Sequence, residues 1–299
     1  KTGVKTMFVT SPTPSKIEGY KSGTTKVFWK SVPKAEGYIV YKRVNGGELK
    51  RIAKIKNPKT LAYKDTSEKK SGEAYEYKIR AYIDSYKSYY STPGLKAMFL
   101  AAPAVTVKNE YTTEYGSTVK LTWNGVNGAT TYSVLRKDEG GADWTVLATN
   151  VTDKTYHDKT AQSGSKYYYA VKAVNGNYVS NYVSSELFTV LATPILTDTV
   201  NTDSGVKITW EKVNGAENYT VFRRTPSGSW ENIGTTANSE FIDSSENATK
   251  TSYLYTVRAN LGELKSNYMI NGIGNFVSVE SVDLLFEENK ETNEANVTI

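Results

Sequence analysis

The chain has 299 residues, and its 37 Lys and Arg against 31 Asp and Glu give a net charge of +6. It contains no cysteine, which excludes disulfides, thiolate nucleophiles and cysteine-bound zinc. No apolar run approaches the roughly 18 residues that a spanning helix needs, so we expect no membrane insertion. Tyrosine is abundant, with 23 residues, and favours strands.

One residue pattern occurs three times and makes the chain an array. A tryptophan ends an alternating apolar segment and is followed at fixed offsets by valine, alanine and tyrosine. The tryptophan and the tyrosine nine places later are Trp29 and Tyr38, Trp123 and Tyr132, and Trp210 and Tyr219. The copies are about 90 residues apart, which is enough for one small sandwich with its own core in each.

The pattern predicts repeat 1 at residues 11–101, repeat 2 at 102–192 and repeat 3 at 193–281. Residues 1–10 repeat the motif that closes repeat 1, so we interpret them as the closing strand of a preceding repeat. Residues 282–299 are acidic and form either a tail or the start of a further module. Because the joins are short and lack a Gly/Ser tract, we expect a monomeric, elongated array of semi-rigid modules.

Within a repeat, the predicted elements are short antiparallel strands. In repeat 2, Val119, Leu121 and Trp123 alternate with polar residues, which places them on one face of a strand. A turn with Asn127-Gly128 follows, then a second strand and a hairpin with glycine at its tip. Later come a Tyr-x-Asp segment, a strand at 167–173 with four inward positions, and a tight closing hairpin. About seven strands per repeat indicate an antiparallel sandwich.

Some aromatic residues outside the core pattern recur between copies, and others do not. Trp144 and Trp230 occupy one equivalent position, where repeat 1 has Leu49. Tyrosines that recur in the closing hairpin, such as Tyr90 and its counterparts Tyr182 and Tyr268, are interpreted as part of the scaffold. Tyr82 and Tyr89 have no counterparts, and they are either a pair of rings for stacking on sugar or protein, or cross-strand packing.

The tryptophan, the tyrosine nine residues later, the Tyr-x-Asp segment and the Tyr-x-Tyr-x-Val/Ile-x-Ala strand resemble fibronectin type III modules of secreted bacterial proteins. The resemblance covers about residues 11–281 and rests on three copies. It implies an all-β fold of tandem immunoglobulin-like antiparallel β-sandwiches. It also implies a location outside the cell or at the cell surface.

Candidate catalytic residues are few. His157 is the only histidine, and Lys64 and Ile242 replace it in the other repeats, which favours a surface side chain over a general base. One aspartate recurs beside a turn in each repeat, at Asp65, Asp158 and Asp243. A turn cap explains all three, because no second acid recurs beside them.

The richest acidic segment runs from Asp198 to Asp203, but its spacing matches no calcium loop, and we interpret it as a polar turn. The sequence therefore predicts no catalytic, cofactor-binding or metal-binding residue, and we expect the chain not to be an enzyme.

The charge is uneven along the chain, at +11 in repeat 1, zero in repeat 2 and −3 in repeat 3. The basic repeat fits either an anionic polymer or a lysine-rich solvated surface, and the second interpretation is favoured. Nucleic acid is not expected, because no reading helix or stacking motif accompanies the charge.

Two functional hypotheses follow. The first is a set of non-catalytic spacer and presentation modules, with adhesion as a further role, in a larger extracellular or cell-surface protein. Its partners are cell-wall or glycan polymers or another surface protein. The second is an accessory, glycan-binding region of a secreted carbohydrate-active enzyme.

Overall fold

The computed structural model describes residues 7–275, 285–289 and 294–298, and every strand pairing recorded there is antiparallel. Within these ranges the one helical element is a 3-10 turn at Tyr20–Ser22. No helix in them is long and apolar enough to cross a membrane. The predicted all-β sandwich fold is confirmed.

Each repeat contributes eight strand segments. Repeat 1 contains β1 (Pro14–Glu18), β2 (Thr25–Trp29), β3 (Gly37–Val44), β4 (Lys50–Ile55), β5 (Ala62–Asp65), β6 (Ala74–Ile83), β7 (Tyr86–Lys87) and β8 (Leu95–Met98). Repeat 2 contains β9 (Val105–Thr112), β10 (Gly116–Trp123), β11 (Thr131–Asp138), β12 (Thr145–Val151), β13 (Thr155–Asp158), β14 (Lys166–Asn175), β15 (Tyr178–Val179) and β16 (Phe188–Thr189). Repeat 3 contains β17 (Leu196–Thr202), β18 (Gly205–Trp210), β19 (Asn218–Arg224), β20 (Glu231–Thr236), β21 (Glu240–Asp243), β22 (Leu254–Leu261), β23 (Leu264–Lys265) and β24 (Ile273–Gly274).

The segments form the same two sheets in every repeat. In repeat 1 the three-stranded sheet has the order β1-β2-β5, and the other sheet has the order β4-β3-β6-β7 with β8 also on β6. Repeats 2 and 3 reproduce this order with β9 to β16 and β17 to β24. Because β7 and β8 are two pieces of one interrupted edge strand, the sandwich has the seven strands that the turn spacing predicts.

Two compact units divide the chain, one with residues 1–108, 119–158 and 165–189, the other with 109–118, 159–164 and 190–299. The predicted repeat boundaries remain predictions. Residues 1–6 lie outside the described ranges, whereas Val9 is buried against the core of repeat 1. A hairpin of β25 (Leu285–Asn289) and β26 (Glu294–Thr298) forms within the acidic segment.

The spacing of the core motif has a direct physical cause. The Trp29 ring meets the Tyr38 ring edge-on at 5.3 Å between centroids, and the Tyr38 hydroxyl accepts the backbone N–H of Val32 at 3.0 Å. The tyrosine therefore both packs on the tryptophan and ties the turn that follows it. Repeats 2 and 3 have equivalent contacts at Trp123 and Trp210.

In each repeat, a serine side chain replaces one backbone hydrogen bond of the interrupted edge strand. Ser88 Oγ accepts the Ala81 N–H at 3.0 Å, and Ser180 and Ser266 accept the equivalent N–H at 2.9 and 3.0 Å. The side chain thus satisfies a donor that a regular strand would pair with its backbone. The interrupted edge strand places the tyrosine two residues later on the outer face of the larger sheet.

Candidate functional site

The recurrent aspartates tie the two sheets of each sandwich together. Asp65 accepts the Ser67 N–H at 3.0 Å, which confirms the predicted turn cap. Its second carboxylate oxygen accepts a hydrogen bond from the Tyr77 hydroxyl at 2.7 Å and contacts Lys42 and Lys69 at 3.0 Å each. Both Asp65 and Lys69 are almost fully buried. The Asp65 carboxylate therefore has a structural role.

Repeats 2 and 3 build the same tie with arginine. Asp158 accepts hydrogen bonds from Arg136 at 2.8 Å and from Tyr169 at 3.0 Å, and Asp243 accepts them from Arg223 at 2.7 Å and from Tyr255. The cation and the tyrosine come from the larger sheet, whereas the aspartate ends a strand of the smaller sheet. A tie that recurs in every repeat is part of the scaffold.

The ties shift the pKa of the groups within them. Burial alone would raise the pKa of Asp65, but hydrogen bonds from Tyr77, Ser67 and Lys69 hold it well below its usual range. The pKa of Asp243 is lowered in the same way by Ser245 and Arg223, against the effect of burial. These carboxylates stay ionised at neutral pH and accept hydrogen bonds only.

The ties predict a loss of stability in acid. Since the folded-state pKa of Asp65 and Asp243 lies below the ordinary value of about 3.9, the unfolded chain binds more protons as the pH falls below about 4. We expect the free energy of unfolding to decline there by at most about 1.4 kcal/mol per pH unit for each carboxyl. Urea unfolding between pH 6 and 2 measures it. The Asp65→Asn/Asp243→Asn variant should show a shallower decline, and an equal slope would contradict the assignment.

The other acidic and histidine candidates do not form a site. His157 is half-buried on β13, opposite Lys120 in the strand register. Asp198 lies on β17 and Asp203 in the turn after it, so the two acids belong to different elements. In the described ranges, no group of three or more acidic or histidine side chains is placed to hold a metal ion.

The two extra tyrosines of repeat 1 do not form an exposed pair. Tyr82 is only 7% exposed, pairs with Gly37 across the strands and lies under the Lys54 ammonium at 4.7 Å, so the packing interpretation holds for it. Tyr89 is 80% exposed. The hypothesis that these two rings form a pair for stacking on sugar or protein is therefore wrong.

Aromatic and cationic side chains instead meet on the outer face of the larger sheet, and the clearest case is repeat 2. Trp144 contacts Tyr182 edge-on at 5.1 Å between ring centroids. Lys137 lies 5.6 Å from the Trp144 ring, and Lys172 lies 5.2 Å from the Tyr182 ring. Trp144 is half-buried and Tyr182 is exposed. We call these four residues the repeat 2 outer face.

Repeat 3 places the same residue types at the same positions. Trp230 contacts Tyr268 at 6.1 Å, and Arg224 and Arg258 lie 4.9 Å from the Trp230 and Tyr268 rings respectively. Phe222 adds a third ring, 5.8 Å from Tyr268. We call these five residues the repeat 3 outer face.

Repeat 1 has a reduced version of this arrangement. Tyr41 and Tyr90 meet edge-on at 5.0 Å, and Arg80 lies 5.0 Å from Tyr90. The position of Trp144 and Trp230 is Leu49 here. The outer faces therefore differ between repeats, whereas the cores do not.

The outer faces offer a defined chemistry. Ring faces and edges provide apolar surface for the C–H faces of a sugar, and the adjacent Lys and Arg donate hydrogen bonds to hydroxyl oxygens. The sequence places Trp144 and Trp230 at equivalent positions, but the recurrence of Tyr182 and Tyr268 favours a scaffold interpretation for these tyrosines. The sequence signal for the site is that a Trp and a Tyr recur together in repeats 2 and 3 at positions outside the alternating core pattern.

The strand order and the threefold core motif define a class of protein built from tandem immunoglobulin-like sandwiches. An Fn3-like protein from Clostridium thermocellum is 33% identical, over 28% of this chain and 90% of that one, with a TM-score of 0.24. The chicken CNTN1 FN1-FN3 domains are 16% identical, over 90% of this chain and 99% of that one, with a TM-score of 0.30. The chain belongs to the fibronectin type III family.

One similarity extends to enzymes. An amylopullulanase from Thermoanaerobacterium saccharolyticum is 37% identical over 76 residues, which is 25% of this chain and 6% of that protein. The match thus involves a small part of the enzyme's length. No protein-family model matches the chain.

Proposed function

We propose that this chain is a non-catalytic accessory region of a secreted carbohydrate-active enzyme and binds polysaccharide through the outer faces of repeats 2 and 3. The observation that carries the proposal is the paired Trp and Tyr at equivalent positions, Trp144 with Tyr182 and Trp230 with Tyr268. The partial similarity to an amylopullulanase supports it. It also favours the accessory hypothesis over a general adhesive role.

The placement of these rings supports binding more than folding. The three core tryptophans are at most 6% exposed, whereas Trp144 and Trp230 lie half-exposed on the outside of the larger sheet. A half-exposed ring contributes little to a core and retains apolar surface for a ligand. In repeat 2, Val146 and Val183 are also exposed and lie close in sequence to Trp144 and Tyr182.

The relatives' name selects amylose and pullulan as the first probes. We expect the chain to be retarded in native gels that contain either α-glucan, because sugar rings and aromatic rings bury apolar area together. Trp144→Ala/Tyr182→Ala and Trp230→Ala/Tyr268→Ala should each weaken the apparent affinity on the order of tenfold, equivalent to ~1.4 kcal/mol.

The matched control is Leu49→Ala/Tyr90→Ala, which changes the equivalent positions of repeat 1 where no tryptophan is present. This control should leave the retardation unchanged. Equal retardation of all three variants and the parent chain would exclude the outer faces as the binding sites. Binding to an anionic polysaccharide that disappears at 0.5 M salt in every variant would instead assign a separate site to the basic surface of repeat 1, since salt of that strength screens exposed charges.

A second function is supported by the joins between repeats. The Leu100 side chain at the first join is buried, and the backbone N–H of Ala101 is hydrogen-bonded to Ser71. A join held in this way suits a spacer that keeps a neighbouring domain at a fixed distance. Spacing and glycan binding are compatible in one accessory region.

A further inference from the structure

A reciprocal hydrogen-bonded contact joins a Ser-Gly pair of repeat 1 to an Asn-Gly pair of repeat 2. The Ser71 hydroxyl donates to the Asn127 backbone oxygen at 2.9 Å, and the Asn127 side-chain amide donates to the Ser71 backbone oxygen at 2.8 Å. The same Ser71 hydroxyl accepts the N–H of Ala101 at 3.0 Å. One serine thus connects its own loop, the join and the next repeat.

The second compact unit contains the same contact in every detail. The Ser163 hydroxyl donates to the Asn214 backbone oxygen at 2.7 Å, and the Asn214 amide donates to the Ser163 backbone oxygen at 2.9 Å. The Ser163 hydroxyl accepts the Ala192 N–H at 3.0 Å. Because the same geometry occurs at two joins, we attribute it to the residues that both joins have in common, the Ser-Gly and Asn-Gly pairs.

Glycine lies on both sides of the contact, and on the Asn-Gly side the space admits no side chain. A Cβ atom on Gly128 would lie 2.2 Å from the Gly72 Cα, and one on Gly215 would lie 2.6 Å from the Gly164 Cα. Both distances are shorter than any side chain tolerates, so two backbones touch there without a side chain between them. All four glycines also have a positive φ, between 83° and 86°.

The two halves are not present in all repeats. Four residues after the core tryptophan, where repeats 2 and 3 have Asn-Gly, repeat 1 has Pro33-Lys34. Four residues before the first tyrosine of the Tyr-x-Tyr motif, where repeats 1 and 2 have Ser-Gly, repeat 3 has Thr249-Lys250. In repeat 1, Pro33 lacks the side-chain amide that donates, and Lys34 adds a Cβ at the position where a Cβ would clash with the facing backbone. In repeat 3, Lys250 replaces the glycine of the other half.

We propose that Ser-Gly and Asn-Gly are the complementary halves of a docking joint whose partner is a neighbouring module of this same chain. Repeat 1 has only the first half, repeat 3 only the second, and repeat 2 both. Of all orders of the three repeats, 1-2-3 is therefore the only one that forms two joints. The proposal is independent of any glycan binding.

The test is amide hydrogen exchange on the full chain. Gly128→Ala inserts a methyl group into the joint, whereas the control Gly140→Ala places one at a similar φ of +74° with nothing within 4 Å. We expect the amides of residues 71–73 and 101 to exchange on the order of tenfold faster in Gly128→Ala than in Gly140→Ala, although both changes lie in repeat 2. Equal exchange rates in these two variants would overturn the joint.

A second variant covers the case in which Gly128→Ala impairs the folding of repeat 2. Asn127→Pro/Gly128→Lys introduces the pair that repeat 1 itself has at this turn, where Lys34 adopts a φ of 62°. It should speed exchange at residues 71–73 while β11 and β14 keep their protection. Unchanged exchange at residues 71–73 would again exclude the joint.

The order rule is tested by a chain with repeats 2 and 3 exchanged. Residues 71–73 should stay protected, because Asn214-Gly215 now follows repeat 1. Residues 163–165 should lose protection, because no Asn-Gly half follows repeat 2. Loss of protection at 71–73 would show that the Asn-Gly half of repeat 3 cannot replace that of repeat 2.

Discussion

Trp29→Ala, Trp123→Ala and Trp210→Ala should each unfold mainly their own repeat, at a cost of about 3–5 kcal/mol for a buried aromatic side chain. The three rings are 2%, 6% and 4% exposed, and each packs edge-on against its tyrosine. Truncation leaves a cavity that the surrounding sheets fill only in part. Differential scanning calorimetry should show one transition shifted to lower temperature in each variant.

Trp144→Ala is the matched control, because it removes the same side chain from the outer face of repeat 2. It should cost less than about 1 kcal/mol, since exposed aromatic and cation contacts are individually weak. A small shift of the transition of a neighbouring repeat is compatible with the docking joint. Simultaneous collapse of all transitions in a single core variant would contradict separate cores.

Asp65→Ala should destabilise repeat 1 by about 3–5 kcal/mol, because it leaves the ammonium of Lys69 buried without its carboxylate. The Lys69 side chain is 1% exposed and that of Lys42 is 15% exposed, so neither reaches water readily. Burial lowers the pKa of Lys69, and Asp65 opposes that shift. Denaturant unfolding of repeat 1 measures the cost.

The double variant Asp65→Leu/Lys69→Leu separates the buried charge from the lost packing. It should be more stable than Asp65→Ala, because it removes the charge of Lys69, the more deeply buried of the two ammonium groups, and leaves only that of Lys42. Asp158→Ala in repeat 2 should cost less than Asp65→Ala, since that tie involves one arginine that is 17% exposed. A double variant no more stable than Asp65→Ala would show that the charge is not the cause.

The sequence was sufficient to predict the core of each sandwich. Alternation placed Val119, Leu121 and Trp123 on one face, and all three are buried. The four inward positions of the long strand, from Tyr75 to Ala81, are at most 3% exposed. These features depend on neighbours along one strand, whose period of two residues is visible in the sequence.

The sheet-to-sheet ties could be predicted only in part. The turn cap at Asp65 follows from an aspartate that recurs beside a turn in each repeat, and its partner, the N–H of Ser67, is only two residues away. The bonds of Asp65 to Lys42 and Tyr77 could not be predicted, because these residues are 23 and 12 positions away on the opposite sheet. Such contacts depend on how two sheets face each other, which one strand's pattern does not specify.

The outer faces could not be predicted from the sequence, for a similar reason. Trp144 and Tyr182 are 38 positions apart and meet only because β12, β11, β14 and β15 lie side by side. Each residue has an equivalent in repeat 3, but the recurrence of Tyr182 favours a scaffold interpretation for that residue, and the recurrence of Trp144 alone does not indicate a contact between the two. Ser71 and Asn127, which meet in the docking joint, are 56 positions apart. The sequence signal for their contact is that repeat 1 lacks the Asn-Gly pair and repeat 3 lacks the Ser-Gly pair.

The most direct test of glycan binding at the outer faces is an NMR titration of the full chain with a linear α-glucan oligosaccharide. The five tryptophans give five indole N–H signals, three from the cores and two from the outer faces. We predict saturable shifts of the Trp144 and Trp230 signals, with those of Trp29, Trp123 and Trp210 unmoved. A titration at millimolar oligosaccharide that moves none of the five signals, or moves only core signals, would contradict the account.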